Sequence, residues 1–266
     1  MTNITFNTKK LIQYKNSSYE NWKKHNFIFQ KFAEHFFVKV TEIRNKFENT
    51  LLLTSDFNEI LNKLIKFQPK KIVFQSQYNV FLDNIQNQKN ITKVYSYFEN
   101  LEFKEESFDL IIHNFSFNSL NNINDHLKKI FSLLKKDGLF VCNFFGSETL
   151  NELRNSLLIT DNKLFNGAYV RMSPGLKMVN IVDLMGKVGF KEIVSEVINY
   201  QVFYEKLNDL LTDIKGIGES TVFEMVSKGL KTKNYFKTLE ETYFENYGVD
   251  KKIISTCDVV SITSWK

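Results

Sequence analysis

The apolar positions change period along the chain, and each change marks an element. Up to about Phe47, Phe29, Phe32, Ala33, Phe36, Phe37 and Val40 recur at helical spacing. Leu51-Leu52-Leu53 is then a short continuous apolar run, the signature of a strand buried on both faces. Ile60, Leu61, Leu64 and Ile65 form a helical stripe closed by Pro69, and Lys71 to Gln75 reads as a second strand. Ile91 to Tyr97 supplies a third strand and Phe108 to Ile112 a fourth. An amphipathic helix follows, with Ile123, Leu127, Ile130, Phe131 and Leu134 inward, and Asp137-Gly138 turns into a fifth strand, Leu139 to Phe144. Strands and helices alternating at these lengths predict a Rossmann-like α/β fold with a mostly parallel sheet. The expected order is 3-2-1-4-5 continued by two C-terminal strands, with Leu51 beside both Ile72 and Ile111.

The second half reads as mostly helical. Thr149-Leu150-Asn151-Glu152 is a capping-box pattern opening a helix with Leu150, Leu153 and Leu157 inward. Ile181, Leu184, Met185 and Val188 form a stripe stopped by Gly189. Phe190 to Tyr204 reads as a sixth strand. Leu207, Leu210, Leu211 and Ile214 precede Gly216, Tyr235 to Tyr247 is a last helix, and Ile253 to Trp265 is a terminal strand. The organisation is a helical segment over 1–47, a Rossmann-like core over 48–146, and a helical elaboration carrying the last two strands over 147–266.

Composition narrows the function classes. Of 266 residues 43% are hydrophobic, which excludes disorder, and two cysteines exclude a disulfide scaffold. The absence of an h-region at the start and of an 18-residue apolar run excludes a secretory signal and a membrane span, so a reducing cytoplasm is expected. A net charge of +5 is too small to argue for nucleic acid. The four histidines and two cysteines have no metal-ligand spacing, so no metal is expected. The crowding of Asn, Lys, Ile and Phe reads as drift in an AT-rich genome. The glycines are more informative, since all ten lie at or after Gly138.

Residues 103–146, FKEESFDLIIHNFSFNSLNNINDHLKKIFSLLKKDGLFVCNFFG, resemble the fourth strand, helix and fifth strand of class I S-adenosylmethionine methyltransferases. Further segments are similar to one branch of that superfamily: KKHNFIFQKFAEHF at 23–36, GSETLNELRNSL at 146–157, RMSPGLKMVNIVDLMGKVGF at 171–190, LLTDIKGIGES at 210–220 and the closing SWK. The branch contains respiratory complex I assembly factors described as arginine hydroxylases. It is related to the malonyl-carrier-protein methyltransferases of biotin synthesis.

The resemblance implies S-adenosylmethionine, yet the cofactor motifs depart from the pattern. The family ends its first strand with an acid followed by G-x-G-x-G; here the acid position is Leu52 and the glycine positions are Thr54, Asp56 and Asn58. A Cβ blocks backbone approach at those positions. Asp56, with Glu59 three residues on, is expected to cap the following helix and to repel the cofactor carboxylate. Where an acid grips the ribose stand Gln75, Ser76 and Gln77. The adenine-binding acid falls at Tyr97, with Glu99 nearby. Two lost charged hydrogen bonds cost roughly 3–6 kcal/mol, about two to four decades of affinity. HNFSFNS at 113–119 stands at the N-methyltransferase D/N-P-P-Y position without a proline, so amide methylation has no support. Gly216-x-Gly218 follows no strand and is a helix stop, not a phosphate loop.

The expected function is therefore a methyltransferase-fold protein that binds a protein partner, with a respiratory complex I subunit as the partner the resemblance implies. The alternative is an active methyltransferase or hydroxylase-like enzyme of the same branch. No catalytic residue is assigned. Because the motifs persist in the second half, the partner surface is expected at Glu152, Arg154, Arg171, Ser173 and Glu219.

Overall fold

The computed structural model describes residues 6–43, 46–172, 175–220 and 232–266. Its centre is one sheet in which β1 (Asn49–Thr54), β2 (Lys71–Ser76), β3 (Ile91–Tyr95), β4 (Phe108–Asn114) and β5 (Leu134–Phe145) run parallel in the order β3-β2-β1-β4-β5. The sheet continues antiparallel through β8 (Lys252–Trp265) to β6 (Lys191–Tyr204), and a two-residue β7 (Gly248–Val249) pairs with β8. This is the expected order with its two C-terminal strands. One register differs. Leu51 pairs with Ile111 as expected, but its partner on β2 is Val73, and Ile72 sits beside Thr50. A one-residue slip exchanges the two faces of a strand. Here both Ile72 and Val73 are buried, because helices cover both faces, so the apolar run carries no register information.

Ten helices among the described residues flank the sheet: α1 (Thr8–Ser18), α2 (Trp22–His25), α3 (Phe27–Ile43), α4 (Glu59–Leu64), α5 (Asn79–Asp83), α6 (Ile123–Leu133), α7 (Asn151–Phe165), α8 (Met178–Val188), α9 (Leu207–Gly216) and α10 (Lys233–Tyr247). The stripe expected before Phe47 is α3, whose Phe29, Phe32, Ala33, Phe36 and Val40 enter the main core. Gly189 ends α8 at φ +115°, with its N–H donating to the carbonyls of Met185 and Gly186. A second, smaller core joins α7, α9, α10 and β8 through Leu153, Leu207, Leu210, Tyr235, Leu239 and Tyr243.

The start of α7 corrects an expectation. Thr149 and Glu152 form no capping box. Thr149 Oγ1 donates to the Asp258 carbonyl at 2.9 Å and accepts from the Asp258 N–H at 3.1 Å. Glu152 accepts from the Thr256 N–H and hydroxyl. The buried strand β8 supplies better-placed partners than the helix's own first turn, so the motif ties α7 to the sheet.

The N-terminal helices lie across the carboxyl ends of the strands and lock onto α9. His25 Nδ1 meets Asp213 Oδ1 at 2.6 Å, and a Cβ on Gly216 would stand 2.2 Å from the His25 ring. Gly218, at φ +69°, packs against the Lys15 backbone, where a Cβ would come within 2.9 Å of Lys15 Cα. The Gly216-x-Gly218 pair thus ends a helix, as its sequence implies, and also admits two other helices at closest approach.

Candidate functional site

In open α/β sheets ligands bind outside the carboxyl ends of the strands. Thr54, Ser55 and Asp56 leave β1 at that end and turn back on the sheet. Asp56 Oδ2 accepts from the Thr54 hydroxyl and from Asn114 Nδ2, each at 2.5 Å. Asn114 Oδ1 accepts from Asn143 Nδ2 at 2.9 Å, and Ser55 Oγ donates to the Phe115 carbonyl. Thr54, Asp56, Asn114 and Asn143 are all fully buried. The network therefore spans the ends of β1, β4 and β5 out of contact with solvent. Burial, followed by the neighbouring Glu59 carboxylate, pushes the Asp56 carboxyl up to about 7, against hydrogen bonds from Thr54 and Asn114 that favour the charged form. Asp56 is not the helix cap expected from sequence. Its bond to the Ile60 N–H is long, 3.4 Å, because Thr54 and Asn114 hold the carboxylate towards the sheet. Asn58 occupies the N-cap position of α4 and makes no side-chain cap bond. Glu59 accepts from the Asn58 N–H, and also from Trp22 Nε1 at 2.8 Å and Asn26 Nδ2 at 2.5 Å, which draws α2 over the loop.

The second strand ends in neutral groups that are already committed. Gln75 Nε2 donates to the carbonyls of Tyr97 and Asn100 at 2.8 and 3.1 Å, while Ser76 Oγ accepts from the Tyr78 N–H. Gln77 Oε1 accepts from the Phe98 N–H. Tyr97 and Glu99 do come together, on a cavity of about 310 Å³ shared with Gln77, Phe98, Asn100 and Leu120. Glu99 accepts there from the Asn121 and Asn122 N–H groups at 2.8 and 2.9 Å, pinning the turn into α6. Thr54, Asp56 and Asn58 do not line this cavity.

A second cavity, of about 190 Å³, lies between the N-terminal helices, the ends of β4 and β5, and α9. Phe29, Phe115, Phe145, Val202, Leu210 and Ile217 are among its walls. Two side-chain pairs lie on it, and Arg154, which also lines it, donates to the carbonyls of Ser147 and Thr149. Lys15, 2% exposed, donates to the Ile217 carbonyl at 2.8 Å, meets Glu219 Oε1 at 2.6 Å, and lies 5.3 Å from the centroid of the Trp22 ring. His25 and Asp213 form the other pair.

The residues expected on a partner surface lie elsewhere than on one face. Glu152 is buried against β8. Arg171 is buried too: its Nη2 lies 2.6 Å from Asp161 Oδ1, its Nε donates to both Asp161 oxygens, and its guanidinium stacks over Tyr235. Asp161 is fully buried and accepts as well from the Tyr235 hydroxyl and the Tyr169 N–H. Arg154 donates to the carbonyls of Ser147 and Thr149, closing the loop before α7. Glu219 holds Lys15. Ser173 lies outside the described residues. Glu152 and Arg171 thus make internal contacts, to Thr256 of β8 and to Asp161 respectively.

The sequence reading missed the pair His113 and His126, inspected only for metal spacing. The rings meet edge to face with centroids 4.8 Å apart, between β4 and α6. His113 Nδ1 contacts Ser116 Oγ at 3.0 Å, and burial holds both imidazoles well below their usual range, His126 at about 4. Helical spacing places His126 one position before Leu127 and four before Ile130 on the inward face; that is the signal that could have found it. Among the described residues no group of three or more His, Cys, Asp or Glu is placed to hold a metal ion, and no helix is long and apolar enough to cross a membrane.

Comparison with known proteins places this geometry. A family model described as a methyltransferase domain matches residues 74–142. The mitochondrial arginine-hydroxylase NDUFAF5 of Danio rerio is 30% identical over 169 residues, 63% of this chain and 52% of that protein. A malonyl-(acyl-carrier protein) O-methyltransferase of Methylovorus sp. is 27% identical over 168 residues, 63% of this chain and 54% of that protein. The chain spans about half the length of these curated relatives. In fold it is similar to the YcgJ protein of Bacillus subtilis, with a TM-score of 0.59 at 10% identity, covering 89% of this chain and 98% of that one. The chain thus has a Rossmann-like fold of the class I methyltransferase type, matches a methyltransferase-domain model over residues 74–142, and is similar in sequence to the arginine-hydroxylase NDUFAF5 proteins and the malonyl-carrier-protein methyltransferases.

Proposed function

We propose that the chain is a methyltransferase-fold protein with a degenerate S-adenosylmethionine site, acting by binding a protein partner. The observation that carries this reading is the closed network Thr54–Asp56–Asn114–Asn143. The residues present do not fit the cofactor. A buried carboxyl group stands where a glycine backbone would approach the cofactor carboxylate, and opening the network would strand four buried polar groups. At the ribose position Gln75 is neutral and turned onto two backbone carbonyls. Protein binding is supported by β6, which ends the strand order and exposes Val197 and Phe203, leaving an edge of the kind that pairs with other chains. A subunit of respiratory complex I is the partner implied by the resemblance to the assembly-factor branch. One observation favours the alternative of an active enzyme: Tyr97 and Glu99 retain a cavity at the end of β3.

Calorimetric titration with S-adenosylmethionine and S-adenosylhomocysteine tests the reading. No saturable heat is expected up to millimolar ligand from normally folded protein. Saturable binding at micromolar ligand, lost in Glu99→Gln or Asp56→Asn, would restore the enzyme.

A further inference from the structure

The two outer edges of the sheet are guarded differently. β3 is five residues long, and a short edge strand offers little to pair with. β6 is fourteen residues long and lies beyond β8, with no strand on its outer side among the described residues. Its first part is blunted: it carries Lys191, Glu192 and Glu196, and its register with β8 shifts between Lys191 and Val194. Over residues 197–204 the sequence VINYQVFY has no charge, proline or glycine, and Val197 and Phe203 are each 49% exposed. An uncharged run of strand-forming residues along an open edge is a template for another chain. The run is complementary to itself in one register. Directly opposed residues of an antiparallel pair share a face of the sheet, so a two-fold axis through the sheet sets one residue opposite its own copy. With Tyr200 on the axis, Val197 lies opposite Phe203, Ile198 opposite Val202 and Asn199 opposite Gln201. Apolar groups meet apolar groups, and amides meet amides. With the axis on Asn199, Val197 meets Gln201 and Phe203 meets Ser195; with it on Gln201, Val197 meets Glu205 and Phe203 meets Asn199. The charges agree with the Tyr200 register. Glu196, opposite Tyr204, is the charged residue at the margin of the paired run, and Lys39 Nζ at 2.6 Å and His35 Nε2 at 3.1 Å already hold its carboxylate. No like charges are opposed between 196 and 204.

We propose that the β6 edge is covered by a second copy of this chain, paired antiparallel along residues 197–204 about a two-fold axis at Tyr200, so that two sheets become one. Such an interface uses the same surface on both copies and closes at two, because the long edge of each is consumed and the short β3 edge is left outside. The proposal rests on the reading of β6 as a protein-binding edge and names its occupant.

Sedimentation equilibrium of the full chain across the micromolar range tests it. A reversible species of twice the 31.4 kDa chain mass is expected to grow with concentration. Two double variants read the register. Val197→Lys with Phe203→Lys sets like charges opposite each other and is expected to weaken association at least tenfold. Val197→Lys with Phe203→Glu sets opposite charges together and is expected to associate at least fivefold more tightly than the double-lysine variant. Val179→Lys, on an exposed position of α8, is expected to leave association unchanged. Backbone amide exchange of the native protein, expected to slow over 197–204 as concentration rises, decides the matter if melting curves show that a variant fails to fold. The proposal is overturned by a monomer at every concentration, by a dimer that neither double variant alters, by two double variants that dissociate alike, or by amide exchange over 197–204 that is independent of concentration. A monomer would leave the edge to a strand of another protein. Saturable binding of S-adenosylmethionine, titrated separately, would refute the degenerate-site reading and leave the association series intact, so the two failures are distinguishable.

Discussion

Replacing Asp56 by Asn should stabilise the protein above neutral pH, and the pH dependence of the gain follows from where the side chain sits. In the unfolded chain an aspartate ionises near 3.8; in the folded chain burial and the Glu59 charge raise that to about 7. The folded state therefore binds more protons than the unfolded state across this window, and stability falls as pH rises through it. Each pH unit is worth at most about 1.4 kcal/mol, so about three units cost roughly 4 kcal/mol by pH 8. Asparagine carries no charge, and its carbonyl oxygen can still accept from Asn114 Nδ2 and the Thr54 hydroxyl. Only the long Ile60 N–H bond is lost. Urea denaturation of both proteins at half-unit steps from pH 5 to 8.5 measures the difference directly, and other titrating groups cancel in the comparison. The expected result is an advantage for Asp56→Asn that grows from about 1.5 kcal/mol at pH 5 to roughly 4 kcal/mol at pH 8, a melting-temperature rise on the order of 10 °C at the higher pH for a domain of this size. Parallel curves, or an Asn variant weaker at every pH, would refute the assignment of Asp56 as a carboxyl group held protonated in a closed network.

The histidine pair acts in the opposite direction. His126 stays neutral in the folded state down to about pH 4, whereas the unfolded residue takes up a proton below about 6.5, so stability is lost as pH falls through that interval. His126→Phe is expected to remove about 3 kcal/mol of the acid-side loss, read as a shallower slope of urea midpoints between pH 6.5 and 4. Arg171→Ala leaves Asp161 buried without its guanidinium and is expected to cost about 3–5 kcal/mol in equilibrium unfolding; a loss under about 1 kcal/mol would return Arg171 to the surface role that its sequence position implies.

The sheet was legible because its strands are continuous apolar runs separated by helical stripes, and that alternation admits few topologies. The same property hid the register: Ile72 and Val73 are both buried, so nothing in their polarity says which lies beside Leu51. That Leu52, Gln75 and Tyr97 stand where the resemblance implies acids was legible as bare identity. What filled the space was not. Asp56 reads as a cap because an acid before a helix usually caps it, and only the fold reveals Asn114, 58 residues away, competing for it, with Asn143 behind it donating to Asn114. Arg171 and Asp161 show the same limit. Ten residues apart, they look like two surface charges until Tyr235 of α10 closes over them.

The uneven glycine distribution gains a different meaning from the structure. Retention of glycine in the second half suggests a surface kept for a partner, yet Gly216 and Gly218 face inward, onto His25 of α2 and the backbone of α1. Larger residues there would push the N-terminal helices off α9 and break the Lys15–Glu219 and His25–Asp213 pairs together. A glycine loop is needed at the end of β1 only where a ligand must reach the backbone. Here Asp56, Thr54 and Asn114 occupy that end. The constraint on Gly216 and Gly218 comes from packing the roof of a cavity, and it persists whether or not a cofactor binds. Retained motifs in this chain are therefore evidence first for that roof and the space beneath it. The proposed partner surface is to be sought where side chains are exposed, beginning with the β6 edge at Val197 and Phe203.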